Sequence, residues 1–341
     1  MPTPREIFAA LDRFVIGQDR AKRVVSIAAH NHFKRVFGPS AKARGLVKKS
    51  NVLLIGPTGS GKTHIARNLA EILQVPFSIA DATEYTEAGY YGKDVEVMVA
   101  ELLFRANHSI EETQRGIIFI DEIDKVARRS HGARTGAGSR DIGGEGVQQG
   151  LLKLLEGREI FVPLNVTQHW NKHDFVQVDT TDILFICAGT FTDLHEYAGT
   201  AALGFGAEEG RKRRRRRITH RDLLEYGMLA EFLGRLPVIV ELEELSREQI
   251  HEVLTVPPDS IVREYKEMFA MDEVKLKFAD DALWAVVDYA RDRKLGARGL
   301  RGILEEVLHD LMFDAPERTG ETVVVDAAYV QGRLGRIDGT A

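Results

Sequence analysis

Eight consecutive residues have the types and the order of a phosphate-binding loop. They match the pattern G-x-x-x-x-G-K-[ST] and are Gly56, Pro57, Thr58, Gly59, Ser60, Gly61, Lys62 and Thr63. Glycines let such a loop wrap a phosphate with its backbone N–H groups, and the start of the following helix adds positive potential. We expect Lys62 to reach the β- and γ-phosphates of a nucleotide and Thr63 to ligate Mg²⁺.

Two adjacent carboxylates, Asp121 and Glu122, follow the apolar run 117–120. The run predicts a buried strand, and the carboxyl ends of strands are where open α/β sheets bind their ligands. We expect Asp121 to hold Mg²⁺, largely through water, and Glu122 to polarise the water that attacks a γ-phosphate. The alternative is an acidic helix start in which Asp121 is only a cap. The phosphate-binding loop elsewhere in the chain disfavours that alternative.

Strand-like and helical patterns alternate around both motifs. The loop follows the apolar run 52–55 and precedes helical spacing over 64–73, and further strand-like runs cover 75–81, 183–190 and 238–242. This alternation predicts an α/β fold, with a parallel sheet flanked by helices. Residues 160–178 resemble a hairpin-like insertion, and 223–232 have helical spacing.

Beyond residue 245 the pattern becomes mainly helical, with a capping box at 246–249 and a closing strand at 322–326. We therefore predict a second, smaller, mainly α-helical domain. The predicted divisions are an N-terminal helical segment, a large α/β domain, the small domain and a tail: 1–50, 51–244, 245–326 and 327–341. Within the tail, residues 331–341 are predicted to be frayed.

The composition narrows the classes of protein. The chain has 341 residues, a net charge of −5 and one cysteine, Cys187, and none of its apolar runs reaches membrane-spanning length. One cysteine excludes an internal disulfide framework and a cysteine-based zinc module, so we expect no zinc. The N-terminus lacks the apolar core of a signal peptide. We expect a soluble, cytoplasmic protein with no membrane partner, and the overall charge does not favour nucleic acid.

Three segments allow more than one interpretation. Val15 and Ile16 precede a turn and are either packing residues or an apolar slot for a base. Tyr90 and Tyr91 lie between glycines, and the local pattern favours a turn folded onto the core over an exposed loop that contacts a partner. The seven consecutive basic residues 211–217 predict a solvated loop, with nucleic acid, anionic lipid or an acidic protein as alternative partners.

Six motifs, in order along the chain, resemble those of the ClpX family of AAA+ ATPases. The resemblance covers about residues 2–326 and rests on 15–18, 56–63, 121–125, 144–149, 231–237 and 296–301. It implies an ATP- and Mg²⁺-dependent protein unfoldase that assembles as a homohexamer. Such a ring threads unfolded or degron-tagged protein through its pore into a ClpP-type peptidase, and has no peptidase activity of its own. We expect a form without the family's N-terminal zinc-binding domain.

The resemblance also implies roles for residues around the nucleotide. Val15 and Ile16 would line the adenine pocket. Arg235 would be an arginine finger that reaches a neighbouring subunit's nucleotide, and Arg298 the sensor-2 arginine that binds phosphates in its own subunit. The sensor-1 region falls at 189–190, where the acting residue is left open.

Contacts with protein substrates and with the peptidase are implied in the same way. The residues fall in an aromatic pore loop, a second pore loop, a basic loop at the pore entrance and a docking tripeptide: Tyr90, Tyr91, Ser139, Arg140, Lys172, His173, Leu203, Gly204 and Phe205. Tyr91 stands where the family has Val, and Leu203 where it has Ile. Asn171 stands where the family has Arg.

Two other ATPase classes are alternatives. An HslU-type protease ATPase would carry a long domain inserted after the strand that ends at Asp121 and a C-terminal docking tail, and neither is recognisable. A nucleic-acid-remodelling AAA+ ATPase has only the basic run 211–217 in its favour. A nucleotide-dependent scaffold that does not hydrolyse ATP is disfavoured by the intact pair Asp121 and Glu122.

Overall fold

The computed structural model describes residues 1–38, 48–86, 93–128, 144–164, 175–192, 194 and 217–337. The chain divides into two compact units. The first comprises Met1–Phe8, Arg20–Pro57 and Lys62–Leu242, and the second comprises Ala9–Asp19, Thr58–Gly61 and Glu243–Ala341. None of the described helices combines the length and apolarity needed to cross a bilayer.

Nine strands lie in the described part of the chain. They are β1 (Val52–Ile55), β2 (Phe77–Asp81), β3 (Ile117–Asp121), β4 (Glu159–Pro163), β5 (Phe175–Asp179), β6 (Leu184–Gly189), β7 (Val238–Glu241), β8 (Lys275–Phe278) and β9 (Thr322–Val325). In the first unit, five of them form a parallel sheet in the order β2–β3–β6–β1–β7. Strands β1 and β6 are buried along their whole length, as expected for central strands covered on both faces. The predicted parallel sheet is confirmed.

The helices of the first unit surround this sheet. They are α1 (Pro4–Asp12, shared with the second unit), α2 (Asp19–Phe37), α3 (Lys62–Leu73), α4 (Val97–Arg105), α5 (Ile110–Thr113), α6 (Glu145–Glu156), α7 (His220–Tyr226) and α8 (Ala230–Gly234). The predicted single helix over 223–232 is wrong, because Gly227 ends α7 with a left-handed φ of 112°. A Cβ at Gly227 would clash with the carbonyl oxygen of Arg128, so only glycine fits there.

Strands β4 and β5 pair in antiparallel register, which confirms the predicted hairpin. The turn 180–182 follows β5 and presents three consecutive carbonyl groups to basic side chains. His32 Nε2 lies 3.0 Å from the carbonyl oxygen of Asp182, Arg35 Nη2 donates to that of Thr181 at 2.9 Å, and Lys49 Nζ donates to that of Thr180 at 2.9 Å. The long helix α2 is thereby fixed to the segment that enters β6.

The second unit is mainly helical, as predicted. Its other helices are α9 (Arg247–Thr255), α10 (Ile261–Met271), α11 (Asp280–Asp292), α12 (Gly296–Asp314) and α13 (Ala327–Ile337). The predicted capping box is present: Ser246 Oγ accepts from Gln249 N at 3.2 Å, and Gln249 Oε1 accepts from Ser246 N at 2.9 Å. Strand β9 pairs in parallel with β8, a strand that the sequence analysis missed.

The fraying predicted for residues 331–341 is wrong as far as residue 337. Helix α13 covers 331–337, and Val330 and Leu334 are buried in the core of the second unit. These two residues are four positions apart, so they share one face of the helix. Residues 338–341 lie outside the described residues.

Candidate active site

Lys62 is the first residue of α3 and is only 8% exposed. Its Nζ donates to the carbonyl oxygens of Gly56 at 2.6 Å and Pro57 at 3.0 Å. Burial lowers the pKa of Lys62, and the nearby carboxylates of Asp121 and Asp124 act in the opposite direction. The ammonium group is therefore held against the start of the phosphate-binding loop.

The two residues predicted to hold Mg²⁺ lie together. Thr63 Oγ1 lies 3.5 Å from Asp121 Oδ2, across the ends of α3 and β3. No three histidine, cysteine, aspartate or glutamate side chains of the described residues converge into a metal cage. Nucleotide sites do not need one, because Mg²⁺ there takes one or two protein oxygens together with phosphate oxygens and water. The oxygen pair of Thr63 and Asp121 fits that kind of coordination.

Glu122 has a left-handed backbone, with φ of 56° and ψ of 30°. This conformation is uncommon for a residue with a side chain and is concentrated at functional sites. The carboxylate of Asp121 accepts from Glu122 N at 2.9 Å, and the carbonyl oxygen of Glu122 accepts from Lys125 N at 2.9 Å. The backbone of Glu122 is thus fixed on both sides while its side chain is exposed. Asp121 does not cap the turn 123–126, which begins at Glu122 without a side-chain cap; its carboxylate bonds the N–H of the next residue, in addition to facing Thr63.

A third carboxylate, Asp124, fixes the end of β6 and was missed by the sequence analysis. Its oxygens accept from the Thr190 hydroxyl at 2.9 Å, from Thr190 N at 3.2 Å and from Phe191 N at 3.4 Å. A Cβ at Gly189 would lie 2.7 Å from Asp124 Oδ1, so this approach requires glycine. Thr190 is therefore the residue of the sensor-1 region whose hydroxyl is held by the segment that carries Glu122.

Arg235 follows α8 and forms an ion pair with Glu156, the last residue of α6. Its Nε and Nη2 donate to Glu156 Oε1 at 3.1 and 2.6 Å, and both side chains are 49% exposed. Its carbonyl oxygen accepts from the Nδ2 of buried Asn51 at 3.0 Å. Neither contact was predicted, because the partners are 79 and 184 residues away in the chain.

In the second unit, the segment 15–18 is anchored by Gln18. Its Nε2 donates to the carbonyl oxygens of Glu243 at 2.7 Å and Ser60 at 3.3 Å, and its Oε1 accepts from Glu243 N at 3.0 Å. Val15 is buried and Ile16 is half-buried. The segment is thereby fixed next to residues 58–61, the part of the phosphate-binding loop that belongs to the same unit.

The first turn of α12, which carries Arg298, also contacts residues 58–61. A Cβ at Gly59 would lie 3.5 Å from Arg298 N and 3.6 Å from Ala297 N. The N–H groups at the start of a helix attract anions, so within the second unit this contact brings a helix start to residues 58–61. Gly59 has φ of 79° and Gly61 has φ of 98°, and a Cβ at Gly61 would meet no atom within 4 Å.

Several predicted contact residues lie outside the described residues. They are the pore-loop, entrance-loop and docking residues Tyr90, Tyr91, Ser139, Arg140, Lys172, His173, Leu203, Gly204 and Phe205. Of the basic run, only its last residue, Arg217, is described.

The comparisons with known proteins agree with this fold and site. Residues 47–239 match the family described as AAA domain (Cdc48 subfamily), and residues 245–325 match the C-terminal, D2-small domain of ClpB protein. A phosphate-binding loop, a paired Asp-Glu at the end of β3 and this order of domains define an AAA+ ATPase. The chain is a member of that class.

The curated relatives narrow the class to one family. The ATP-dependent Clp protease ATP-binding subunit ClpX 2 of Wolinella succinogenes is 47% identical over 97% of this chain and 83% of its own length. The ATP-dependent Clp protease ATP-binding subunit ClpX of Treponema denticola is 43% identical over 95% of this chain and 80% of its own length. The protein of the same name from Porphyromonas gingivalis is 43% identical over 98% of this chain and 83% of its own length. The chain belongs to the ClpX family.

Proposed function

We propose that this chain is the ATP-driven, ring-forming subunit of a Clp-type protease, which unfolds tagged proteins and passes them to a ClpP-type peptidase. The observation that carries the proposal is the joint placement of Lys62, Thr63, Asp121 and Glu122 at one edge of the parallel sheet. The relatives named as ATP-binding subunits of that protease match almost the whole chain, so the comparison supports the partner as well as the chemistry.

The residues present fit ATP with Mg²⁺. Ser60 Oγ is buried and lacks a hydrogen-bond partner among the described residues, as expected of a loop that binds an oxygen-rich ligand. Gly61 leaves open space where a side chain would otherwise project. Thr63 and Asp121, both in the first unit, would hold Mg²⁺. Within the second unit, the start of α12 places N–H groups beside Gly59.

Each residue then has a distinct task in hydrolysis. ATP bound with Mg²⁺ supplies the γ-phosphoryl group and the metal's neutralising charge. Lys62 Nζ, which donates to the carbonyl oxygens of Gly56 and Pro57, would donate to phosphate oxygens when ATP is bound. Glu122 orients the attacking water and accepts its proton, and Thr190, held by Asp124, completes the surroundings of the γ-phosphate.

Two arginines supply further positive charge to the transition state. Arg298, in the first turn of α12, would bind phosphates in its own chain, and the support for this is the contact of that turn with Gly59. Arg235 would reach the nucleotide of a neighbouring copy in a homohexamer, and the support is its exposure at the surface of the first unit. Val15 and Ile16 would line the adenine pocket, next to the anchor formed by Gln18.

The mechanical part of the proposal rests on the family resemblance. Tyr90 and Tyr91 would grip substrate polypeptide, with Ser139 and Arg140 in a second pore loop and Lys172 and His173 at the entrance. The tripeptide 203–205 would dock into the peptidase.

The test is ATP-dependent loss of fluorescence from a stably folded, degron-tagged reporter, with and without a ClpP-type peptidase. We expect loss with ATP, faster irreversible loss when the peptidase is added, and no loss with the Glu122→Gln variant. Robust ATPase activity without unfolding of any tagged reporter would contradict the proposal. Stimulation of the ATPase by DNA or RNA rather than by unfolded protein would instead favour a nucleic-acid-remodelling role.

A further inference from the structure

We infer that Glu156 is a positioning residue for Arg235: it holds one edge of the guanidinium within its own chain and leaves the other edge for a phosphate on a second copy. The inference rests on the proposed role of Arg235 as an arginine finger. It assigns to α6, which carries no nucleotide-binding motif, a part in hydrolysis at the neighbouring site.

The atoms that form the ion pair carry the argument. Arg235 uses Nε and Nη2, and both donate to the same oxygen of Glu156, Oε1. A guanidinium is planar and has five N–H donors in a fixed fork. Pairing through Nε and one N–H of Nη2 leaves the second N–H of Nη2 and the adjacent N–H of Nη1 as an edge that points away from Glu156. That outer edge has the geometry for a phosphate oxygen pair.

The backbones of both partners are fixed by one buried side chain. Asn51 is 1% exposed, and its Nδ2 donates to the carbonyl oxygen of Arg235 at 3.0 Å and to that of Leu155 at 3.4 Å. Its Oδ1 accepts from Phe185 N at 3.3 Å, at the start of β6. Since Leu155 directly precedes Glu156, the amide holds the ends of α6 and α8 at a constant separation. The ion pair therefore joins two side chains whose main chains are already in place.

The exposure of the pair indicates orientation rather than folding as its role. Both side chains are 49% exposed, and ion pairs at that exposure contribute little to the stability of a protein. An arginine side chain without such a partner samples many rotamers. Binding a phosphate then restricts it to one rotamer, which costs conformational entropy. Fixing the side chain in advance removes that cost at the transition state.

The experiment compares Glu156→Ala with Arg235→Ala in the full chain, using steady-state ATP hydrolysis, binding of a fluorescent ATP analogue and thermal unfolding. An arginine finger is worth about 10³–10⁵ in kcat, and a small misplacement of a catalytic group costs up to about 10². We expect Glu156→Ala to lower kcat roughly tenfold, with nucleotide affinity and melting temperature unchanged. Glu225→Ala is the matched control, because it breaks the exposed ion pair of Arg221 and Glu225 elsewhere in the first unit, and kcat should not change.

Two further variants separate positioning from other roles. Glu156→Gln keeps an oxygen acceptor for Nε and Nη2, so it should retain more turnover than Glu156→Ala, and equal losses would overturn the inference. In the Arg235→Ala background, Glu156→Ala should lower kcat no further. An additional tenfold loss there would show that Glu156 acts independently of Arg235 and would also overturn it.

Mixed rings test whether the effect is exerted on a neighbouring copy. A Glu122→Gln chain has an intact Arg235 and a Glu156→Ala chain has an intact Glu122, so a mixture should hydrolyse ATP faster than the average of the two separate proteins. A merely averaged rate would contradict the inference. Wild-type kcat in Arg235→Ala would remove the proposed finger itself, whereas wild-type kcat in Glu156→Ala alone would overturn only the positioning role.

Discussion

Asp124 and Glu156 are carboxylates that each hold a residue with a proposed role in hydrolysis, Thr190 and Arg235 respectively. The two carboxylates differ in burial. The side chain of Asp124 is 1% exposed and accepts three hydrogen bonds from Thr190 and Phe191, whereas that of Glu156 is 49% exposed and holds only Arg235. A buried carboxylate is costly to leave unpaired, and an exposed one is not. Breaking the contacts of Asp124 should therefore cost the first unit more stability than breaking the ion pair of Glu156 with Arg235.

The largest expected effect comes from Glu122→Gln, which changes the proposed catalytic carboxylate two residues before Asp124. The amide cannot accept the proton of the attacking water, so we expect ATP turnover to fall by a factor of at least about 100 while ATP binding is retained. Turnover would be measured by phosphate release and binding by a fluorescent nucleotide. Turnover at the wild-type rate would remove Glu122 from the assigned role.

Next in size is the effect of Asp124→Asn on stability. The amide of asparagine would turn an N–H₂ group towards N–H or O–H donors of Thr190 and Phe191, so at least one buried donor loses its acceptor. We expect the free energy of unfolding of the first unit to fall by about 2–3 kcal/mol. Urea denaturation measures the change.

The matched control for Asp124→Asn is Thr190→Val, which removes only the hydroxyl and should cost less. If both variants are as stable as the wild type, the contrast in burial between Asp124 and Glu156 has no energetic meaning.

A pH effect of similar size is expected from His32, which is buried and lies against the turn 180–182. Burial, together with the charges of Arg35 and Lys49, lowers the pKa of His32 to about 3 from an ordinary value near 6.5. Between pH 6.5 and about pH 3, His32 is therefore protonated in the unfolded chain and neutral in the folded chain. The free energy of unfolding decreases as the pH falls through this range. The expected loss is about 2 kcal/mol at pH 5 relative to neutral pH.

The dependence can be assigned to His32 by substitution. His32→Gln keeps a donor for the carbonyl oxygen of Asp182 and should flatten urea-measured stability between pH 7 and pH 5. His220→Gln, which replaces an exposed histidine on α7, should leave the slope as in the wild type. An unchanged slope in His32→Gln would show that another group controls the acid limb.

Lys49 acts in a different pH window. Burial is the largest cause that lowers its pKa to about 7 from 10.5, so the folded chain releases its proton first and stability should rise as the pH increases from about 7 towards 10.5. Lys49→Met should remove this alkaline rise, and urea midpoints at pH 7 and pH 9.5 would detect it. A rise that persists in the variant would argue against Lys49 as its source.

The smallest expected effect on stability is that of Glu156→Ala. Because the pair with Arg235 is half-exposed, we expect the free energy of unfolding to change by less than about 1 kcal/mol. Urea denaturation beside Glu225→Ala measures it. A loss of stability as large as that of Asp124→Asn would show that Asp124 and Glu156 do not differ in their contribution to folding.

The sequence by itself determined the features that depend on neighbouring residues. The glycine spacing at 56–61, the apolar runs of β1, β3 and β6 and the carboxylates at 121–122 are local patterns, and the structure has the predicted strands and parallel sheet. The hairpin and the capping box at 246–249 were predictable for the same reason. Local conformational preference and side-chain periodicity operate within about ten residues, which is the range that a sequence pattern samples.

Only the tertiary structure decided which distant side chains meet. Asp124 and Thr190 are 66 residues apart, Glu156 and Arg235 are 79, and Asn51 and Arg235 are 184. The order of the strands in the sheet brings each pair together, and a polar residue beside an apolar run looks the same in sequence whether or not it has a partner. Helix α13 was missed because its stability comes from burying Val330 and Leu334 against the second unit's core, which a weakly patterned terminal segment does not reveal.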